Sequence, residues 1–250
     1  MPEYRWNTSS FAEGYDAAAP QIHPYYVQVQ DGIVGILGDL AAGRPTSEPL
    51  HIVDLGGGSG RLLERILKIL PAATATIVDQ SEAFLAIAER RLAPFGGRVE
   101  FVVSRLQEDW PAKLAQQPNA LVSTSAIHHL DPGEKQALYQ QVAGTLATGG
   151  LFLNGDEVRP EDDAEYQATM ERWAQFMRAG MASGAIPTGF HPAAQGWIER
   201  NVVRFGEPKN SGDDCHETAA TQLDYFLAAG FRRADVPWHC ELWSILRGVK

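Results

Sequence analysis

The hydrophobic pattern of the chain changes between two kinds of segment. Short apolar runs rich in β-branched residues are typical of buried strands, and they lie near residues 50–55, 73–79, 98–103, 119–125 and 149–156. Segments with helical spacing separate them, near residues 60–70, 81–93, 110–116 and 131–147. Because strands and helices alternate at the length of a crossover connection, the right-handed crossover rule predicts a parallel sheet.

Capping residues support two of these helices. Ser81 follows the second predicted strand and is a suitable N-cap. Asp131, Pro132 and Glu134 place an acid at the N-cap, a proline at the first helical position and a glutamate at the third, which is a capping box. These signals predict helix starts at the positions that the apolar pattern requires.

A glycine-rich turn follows the first predicted strand. The chain reads D-L-G-G-G-S-G from Asp54 to Gly60. Glycines in such a turn allow positive φ and let a ligand approach the backbone closely. Asp79 ends the second predicted strand, and an acid at this place in a doubly wound fold accepts both hydroxyls of a ribose. The two segments therefore predict a nucleotide-type cofactor site.

The spacing of the glycines argues against a dinucleotide. Counted from Gly56, the G-x-G-x-x-G fingerprint would place its last glycine where the chain has Arg61. An arginine is too bulky for the close helix-to-strand approach, and Asp54 would bring a negative charge near the phosphates. NAD and FAD are therefore disfavoured.

The pattern D-x-G-x-G-x-G resembles motif I of the class I S-adenosylmethionine-dependent methyltransferases, in their small-molecule branch. The cofactor that this resemblance implies is S-adenosyl-L-methionine, a sulfonium that carries an ammonium and no phosphate, so a nearby acid is favourable. The resemblance covers about residues 50–157 and 216–249. It implies cofactor contacts from Asp54, Gly56, Gly58, Gly60, Asp79, Gln80, Leu106 and Tyr15.

The carboxyl end extends the resemblance. A helix is predicted from Thr218 to Ala229, followed by strands over Phe231–Trp238 and Glu241–Val249. The sequence LAAGF before these strands is similar to the end of the same family, where a hairpin completes the sheet. The expected fold is α/β: a doubly wound, Rossmann-like sheet of seven mostly parallel strands with an antiparallel last strand, an N-terminal helical lid and a helical insertion after the fifth strand.

Four segments are expected along the chain. They are an N-terminal arm and lid helix, the cofactor-binding core, a helical insertion that forms a substrate lid, and a C-terminal helix with a strand hairpin, over residues 1–45, 46–157, 158–214 and 215–250. In the family that the chain resembles, a Tyr-Asp segment like Tyr15-Asp16 folds over the cofactor. The alternative for Tyr15 is an aromatic anchor that packs the arm on the core.

The insertion carries an apolar helical stripe. Tyr166, Met170, Trp173 and Met177 recur at helical spacing, and Trp197 follows in the same segment. Such a stripe suits simple packing, but a segment placed after the carboxyl end of a strand also faces the ligand crevice. The residues proposed from sequence for the substrate wall are therefore Tyr15, Trp173, Met177 and Trp197.

An adjacent pair of histidines follows the fourth predicted strand. The run that ends in His128 and His129 resembles motif IV in methyltransferases that carry an HH pair there. An imidazole can remove a proton from an acceptor at neutral pH, so His128 is the first candidate for a catalytic base and His129 the second. The alternative is a structural role in the turn. No metal is expected, because adjacent side chains would diverge unless the turn brought them together, and no third ligand stands at a supporting spacing.

Two positions depart from the family pattern. Many relatives place an acid where this chain has Arg105, and that acid receives a hydrogen bond from the adenine amino group. The Leu106 backbone, Glu108 or Asp109 could take over this role, and the sequence leaves the three open. Asn119 occupies the place of a frequent motif IV acid, which weakens any interpretation as an amino-group methyltransferase of the D-P-P-Y type.

Composition narrows the partners. The 250 residues carry 21 Lys and Arg against 31 Asp and Glu, a formal charge of −10. No basic cluster is visible, so nucleic acid is an unexpected partner. Neither a signal sequence nor a membrane-length apolar run is evident, which predicts a cytoplasmic protein with reduced thiols at Cys215 and Cys240. The expected partner is a small-molecule substrate, and a homodimer is left open.

The function expected from the resemblance is methyl transfer to a small-molecule acceptor, with O-methylation slightly favoured because of the candidate histidine base. Two alternatives stay open at this point. One is an enzyme on the same fold that uses or modifies the sulfonium without methyl transfer, since fold does not fix chemistry. The other is a subunit that binds the cofactor and does not catalyse.

Overall fold

A single seven-stranded sheet organises the computed structural model, which describes residues 7–45 and 47–250. The strands are β1 (His51–Leu55), β2 (Thr74–Asp79), β3 (Val99–Val103), β4 (Ala120–Thr124), β5 (Leu151–Glu157), β6 (Arg233–Cys240) and β7 (Trp243–Val249). Their order is β3-β2-β1-β4-β5-β7-β6. β7 runs antiparallel to both of its neighbours, and the other pairs are parallel. The predicted fold class is confirmed.

Helices cover the sheet and extend beyond it. They are α1 (Ser9–Ile22), α2 (Tyr26–Ala42), α3 (Arg61–Ile69), α4 (Glu82–Leu92), α5 (Pro132–Thr145), α6 (Asp163–Ser183), α7 (His191–Ile198) and α8 (Ala219–Ala228). Short turns of 3₁₀-helix cover Ala93–Arg98, Pro111–Lys113, Ile127–His129 and Thr188–Phe190, and a π-turn covers Glu199–Val203. Within the described ranges, no helix combines the length and the apolar character that crossing a bilayer requires.

The predicted helix over residues 110–116 is wrong. The structure has only one 3₁₀ turn there, Pro111–Lys113, between β3 and β4. Trp110 is fully buried, and its indole Nε1 donates to Gln141 Oε1 of α5 at 2.9 Å. Pro111 at the start and Pro118 near the end leave too few residues for helical hydrogen bonds to offset the cost of nucleating a helix. The buried tryptophan, rather than helix formation, fixes this connection.

Alternate strand residues face opposite sides of the sheet. Ile52 and Ile77 pack in the cluster that includes α2, α3, α4 and α6, whereas Val53 and Val78 pack in the cluster that includes α5 and α8. This period of two is the one that a pleated strand imposes. Because both faces are covered, the central strands are apolar throughout, which is why their sequences are continuous apolar runs.

N-cap residues begin three helices where the sequence predicts. Ser81 Oγ accepts from the Phe84 amide at 3.2 Å, and Asp131 forms both hydrogen bonds of a capping box with Glu134. Thr218 Oγ1 accepts from the Thr221 amide at 3.2 Å at the start of α8. Each cap satisfies amide groups that the first helical turn leaves without intrahelical partners.

The strand order reverses between β1 and β4. β1 pairs with β2 on one side and with β4 on the other, so crossovers leave in opposite directions from this point. Ligands of open α/β sheets bind in the crevice beyond such a switch point, at the carboxyl ends of the strands. The helices outside the sheet, α1, α6 and α7, pack against one another and lie over this region.

Candidate functional site

The glycine turn after β1 requires its glycines. Gly56, Gly58 and Gly60 have φ of 66°, 53° and 77°, a region that side chains disfavour. A Cβ on Gly56 would lie 2.6 Å from the Ala126 Cβ, and one on Gly60 would lie 2.9 Å from Leu92 Cδ1 of α4. The turn is therefore pressed against the residues that follow β4, and α3 is pressed against α4.

Asp79 holds this turn in place. Its Oδ2 accepts from the Gly58 amide at 2.9 Å, and its Oδ1 accepts from the Ser81 amide at 2.8 Å. Burial raises the pKa of Asp79, while the amides of Ser81, Gly58 and Gln80 oppose that rise. Each carboxylate oxygen has lone pairs to spare, so the group can still accept hydroxyls from a ligand.

Asp54 is a buried carboxyl without a complete set of partners. It is 1% exposed, and its Oδ2 accepts no hydrogen bond from any described residue. Burial, and then the charge of Asp79, raise the pKa of Asp54 to about 8. A buried carboxyl of this kind is stabilised by a cationic or hydrogen-bonding ligand group.

A cleft of about 960 Å³, here called the cofactor cleft, opens over these residues. Seven of the eight residues predicted from sequence for cofactor contact line it: Tyr15, Asp54, Gly56, Gly58, Asp79, Gln80 and Leu106. Gly60, the eighth, begins α3 and lies against α4, so its role is close packing. The lining includes two acids, Asp54 and Asp79, which can hold polar groups of a ligand.

The far end of the cofactor cleft is lined by residues 104–107. Glu108 and Asp109, two of the acids considered for the adenine, are not among the described residues that line it. Glu108 Oε2 instead accepts from Ser104 Oγ at 3.3 Å and lies 3.8 Å from Lys113 Nζ. The Leu106 segment is therefore the part of this loop that reaches the cleft.

A cluster of ion pairs and hydrogen bonds, formed by Asp16 with Ser59, Arg61 and Arg91 and called the latch below, joins α1 to the glycine turn. Asp16 Oδ1 accepts from Arg61 Nε at 2.8 Å, and Asp16 Oδ2 accepts from Arg91 Nη2 at 2.8 Å. Ser59 Oγ also donates to Asp16 Oδ1 at 2.5 Å. Burial alone would raise the pKa of Asp16, but Arg91, Ser59 and Arg61 lower it. These contacts hold the residue next to Tyr15 over the cofactor cleft.

A second cavity of about 190 Å³, here called the acceptor chamber, lies beside the cleft. The four residues predicted for the substrate wall all line it: Tyr15, Trp173, Met177 and Trp197. The rings of Trp173 and Trp197 are 4.6 Å apart, and Trp173 Nε1 donates to the Ile22 carbonyl at 2.6 Å. The apolar stripe of α6 therefore both packs against α1 and forms a cavity wall.

The two cavities meet. Tyr15, Ser125 and His129 line both of them. Ser125 has φ of 54°, which is strained for a residue with a side chain, and its amide donates to the Gly155 carbonyl at 3.0 Å. Tyr15 Oη lies 3.0 Å from His23 Nε2, a hydrogen-bond distance. The gap at which the two cavities meet is thus lined by the polar side chains of Tyr15, Ser125 and His129.

His128 is held rigidly beside this gap. Its Nδ1 lies 2.7 Å from Asp156 Oδ1, and its amide donates to Asp156 Oδ2 at 2.8 Å. Burial would lower the pKa of His128, but Glu157, Asp156 and Asp214 outweigh it and raise the pKa to about 9. The ring is therefore oriented by one carboxylate and directs Nε2 toward two others.

His129 has a different environment. Its Nδ1 lies 3.2 Å from the Asp213 carbonyl and 3.5 Å from Asp214 Oδ1. Burial, and then the charge of His128, lower the pKa of His129 to about 4. The two imidazole rings are 4.1 Å apart, so the turn does bring the adjacent side chains together, the exception that the sequence left open. The 3₁₀ turn Ile127–His129 turns both side chains inward.

Several residues of the chamber carry no sequence signal that singled them out. Glu157 ends β5 and lies 2.8 Å from His216 Nε2 and 3.6 Å from His23 Nδ1. Asp214 accepts from Asn201 Nδ2 in the insertion. The acids at the end of β5 could have been found, because a strand was expected over residues 149–156 and the carboxyl ends of parallel strands lie at one edge of the sheet. Asp214 lies in a loop without a recognisable pattern, so only the fold brings it to the histidines.

Comparison with known proteins agrees with this geometry. Residues 52–150 match the family described as "Methyltransferase domain". A trans-aconitate 2-methyltransferase of Delftia acidovorans is 28% identical over 114 residues, which are 46% of this chain and 40% of that protein. A carboxy-S-adenosyl-L-methionine synthase of Dichelobacter nodosus is 24% identical over 224 residues, which are 89% of this chain and 84% of that protein. The chain thus spans less than half the length of the first relative.

A solved structure shares the fold along nearly the whole chain. Magnesium protoporphyrin IX methyltransferase of Synechocystis PCC 6803, with bound SAH, superposes with a TM-score of 0.62 at 14% identity, over 98% of this chain and 95% of that one. The family match covers the glycine turn, Asp79 and the histidine pair. Residues 52–150 therefore match a methyltransferase domain, and the strand order is that of the Rossmann-like methyltransferase fold.

Proposed function

We propose that this chain transfers the methyl group of S-adenosylmethionine to a small planar acceptor held in the acceptor chamber. The observation that carries the proposal is the meeting of the two cavities at Tyr15, Ser125 and His129. Methyl transfer is an in-line displacement, so the sulfonium and the acceptor must face each other across a narrow gap without intervening water. The junction offers such a gap.

On the cofactor side, we assign the ligand contacts to the turn and strand-end residues. Asp79 would accept the ribose hydroxyls, and Asp54 would lie near the ammonium, because its buried Oδ2 needs a cationic or donating partner. The backbone of Gly56 and Gly58 would border the cofactor, and the Leu106 segment would border the adenine. Tyr15 would close the cleft as part of the lid.

On the acceptor side, the size and lining of the chamber favour an aromatic molecule of one or two rings. Its volume of about 190 Å³ is similar to that of an engineered cavity of about 150 Å³ that binds benzene. Trp173, Trp197 and Met177 supply an apolar wall, while His128 and Glu157 supply polar groups. An aromatic acceptor with one polar substituent would contact both the apolar wall and the polar groups.

The histidine pair makes a hydroxyl the favoured acceptor atom. In O-methylation the acceptor oxygen attacks the methyl carbon, the S–CH₃ bond breaks with its electrons going to sulfur, and the acceptor proton must leave. A neutral amine attacks without prior activation, whereas a hydroxyl needs an activating group. His128, the first candidate from sequence, and His129 border the chamber and would together orient and activate that hydroxyl. His129 is neutral because its pKa is lowered and would accept the proton, whereas His128 is protonated because its pKa is raised and would hold the hydroxyl in position.

The test is a methyl-transfer assay with the purified chain and cofactor that carries an isotopically labelled methyl group. The acceptors are hydroxylated aromatics of one and two rings, each paired with the corresponding amine. We expect a labelled methyl ether and S-adenosylhomocysteine in equal amounts. Labelled amine products alone would overturn the O-methylation proposal. Conversion of the cofactor to a heavier sulfonium, or binding with no conversion across the panel, would contradict methyl transfer itself.

A further inference from the structure

Three side chains next to the acceptor chamber are arranged as metal ligands. His128 Nε2 lies 3.7 Å from Asp214 Oδ1, and His129 Nδ1 lies 3.5 Å from the same oxygen. The candidate ligand atoms of all three residues lie within 4.8 Å of one another. His128 and Asp214 are at least nine-tenths buried. The three residues are called the His-His-Asp cluster below.

We propose that the His-His-Asp cluster binds one divalent first-row transition-metal ion, with Zn²⁺ or Fe²⁺ as the favoured class. In a tetrahedral site with metal–ligand distances of about 2.1 Å, neighbouring ligands are about 3.4 Å apart. The separations of Asp214 Oδ1 from the two imidazole nitrogens exceed this value by only a few tenths of an ångström, and the two nitrogens lie within 4.8 Å of each other. Two imidazoles and one carboxylate are a donor set that zinc and non-haem iron both accept.

The two deepest ligands are held through the atoms that would not bind the metal. Asp156 Oδ1 lies 2.7 Å from His128 Nδ1, which leaves Nε2 directed into the cluster. Asn201 Nδ2 donates to Asp214 Oδ2, which leaves Oδ1 directed toward the imidazoles. A carboxylate behind a ligating histidine is the usual outer support of a metal site, and it fixes the ring orientation.

An independent observation also indicates a cation. Glu157 is 1% exposed and lines the chamber, and its Oε1 accepts no hydrogen bond from any described residue. Its other oxygen lies 3.8 Å from His128 Nε2. Three buried carboxylates, those of Asp156, Glu157 and Asp214, therefore surround one cluster. Buried carboxylates are costly unless cations or donors compensate them, and a divalent ion would compensate more than one.

The site would remain open toward the chamber. All three ligands border that cavity, so a position not filled by protein would face the acceptor. A bound metal ion would supply Lewis-acid activation of an acceptor hydroxyl. His129 Nδ1 would exchange its hydrogen bond to the Asp213 carbonyl for the metal, with the proton of Nδ1 moving through solvent to Nε2 so that the ring stays neutral. Metal binding itself does not depend on which acceptor the enzyme uses.

The first test is titration of the whole, chelator-treated chain with Co²⁺, followed by visible absorption. We expect saturable binding of one equivalent with the d–d bands of a low-coordinate cobalt site, and displacement of cobalt by Zn²⁺. Asp214→Asn should weaken binding at least tenfold. Asp156→Asn, which removes only the outer support, should weaken it by about 10- to 100-fold. His239→Gln is the matched control, because that histidine bonds Ser244 at the end of β6.

The wild-type spectrum decides the proposal even if a cluster variant fails to fold, which thermal melting would reveal. A wild-type chain that shows no saturable cobalt spectrum overturns it, as does equal cobalt affinity in a folded Asp214→Asn variant. The outcome is distinct from that of the methyl-transfer assay. Full methyl transfer in the presence of chelator, together with no cobalt binding, would show that the metal proposal is wrong and that the proposed methyl transfer is correct.

Discussion

The cofactor cleft and the acceptor chamber differ in how the chain builds them. The cleft is made mainly by neighbours in sequence: the turn over residues 54–60 and the strand end at Asp79, which hydrogen-bonds to that turn. The chamber takes its walls from α1, the ends of β4 and β5, α6, α7 and the loop before α8. A local motif can therefore specify the cleft, whereas the chamber exists only after distant segments have packed.

The two sites also differ in their electrostatics. In the cleft, Asp54 is a buried carboxyl whose Oδ2 accepts no hydrogen bond from any described residue, and burial raises the pKa of this group to about 8. In the chamber, neighbouring charges move two adjacent imidazoles in opposite directions, with the pKa of His128 raised to about 9 and that of His129 lowered to about 4. Groups whose pKa values are pushed apart in this way cluster at functional sites. Variants of the cleft and variants of the chamber can test this difference separately.

The largest effect should come from His128→Ala, which acts on the chamber. Loss of an acceptor-activating group should slow single-turnover methyl transfer by about 10² or more. The affinity for S-adenosylhomocysteine should stay within about threefold, because His128 does not line the cofactor cleft. Rapid-quench kinetics and calorimetry measure the two quantities, with His239→Ala as the control. A parallel loss of cofactor affinity would show that the two sites are not separable.

Asp79→Ala acts on the cleft. Removing the carboxylate loses charge-assisted hydrogen bonds to a ligand and the two bonds that fix the glycine turn. S-adenosylhomocysteine should bind more weakly by about 1 to 3 kcal/mol, which is about 5- to 150-fold. Calorimetric titration gives the affinity, and Asp224→Ala on the exposed face of α8 serves as the control. Unchanged affinity would show that Asp79 does not hold the ribose.

Trp197→Ala should separate acceptor binding from cofactor binding. It removes one of the two indoles of the chamber wall, whose rings contact each other at a tilt of 43°. The KM for the acceptor should rise about tenfold, from a loss of about 1.4 kcal/mol of aromatic contact, with cofactor affinity unchanged. Steady-state kinetics measure the KM. Phe176→Ala on α6 is the control, because that ring is 40% exposed. An equal rise in the control variant would contradict a specific wall.

The smallest effect should come from Asp16→Ala, which opens the latch over the cleft. After solvent screening, the loss is about 1 kcal/mol, so the cofactor should dissociate about fivefold faster. Stopped-flow displacement measures the rate. Glu13→Ala is the control, because that residue forms an exposed pair with Arg90 one turn earlier on α1. The same rate in wild type and Asp16→Ala would mean that the latch does not gate release.

The latch also predicts a pH dependence. Because the pKa of Asp16 is lowered in the folded protein, its contribution is complete above its unfolded value of about 3.9 and disappears as the pH falls through the lowered value. Cofactor release should therefore be insensitive to Asp16 titration from pH 7 to about 5 and should accelerate below about 4. A latch contribution already lost at pH 6 would contradict this assignment.

Much of the fold was predictable, because the strands are continuous apolar runs and the helices carry their own caps. β1 was expected near 50–55 and covers His51–Leu55, and α5 begins at the capping box of Asp131. The prediction of a helix near 110–116 was wrong, because Trp110 packs against α5 and this contact overrides the helical pattern of the segment. Local periodicity cannot report that kind of tertiary contact.

The sequence by itself determined the cofactor side of this protein. Positive φ at alternate glycines, an acid before the turn and an acid at the next strand end are local requirements, so they leave a readable motif. Tertiary structure alone decided the acceptor side. Asp214 lies 85 residues after His129 in the chain, yet its carboxylate is 3.5 Å from that ring. Such a contact follows from how the insertion and the sheet pack, and packing leaves no fixed spacing in a sequence.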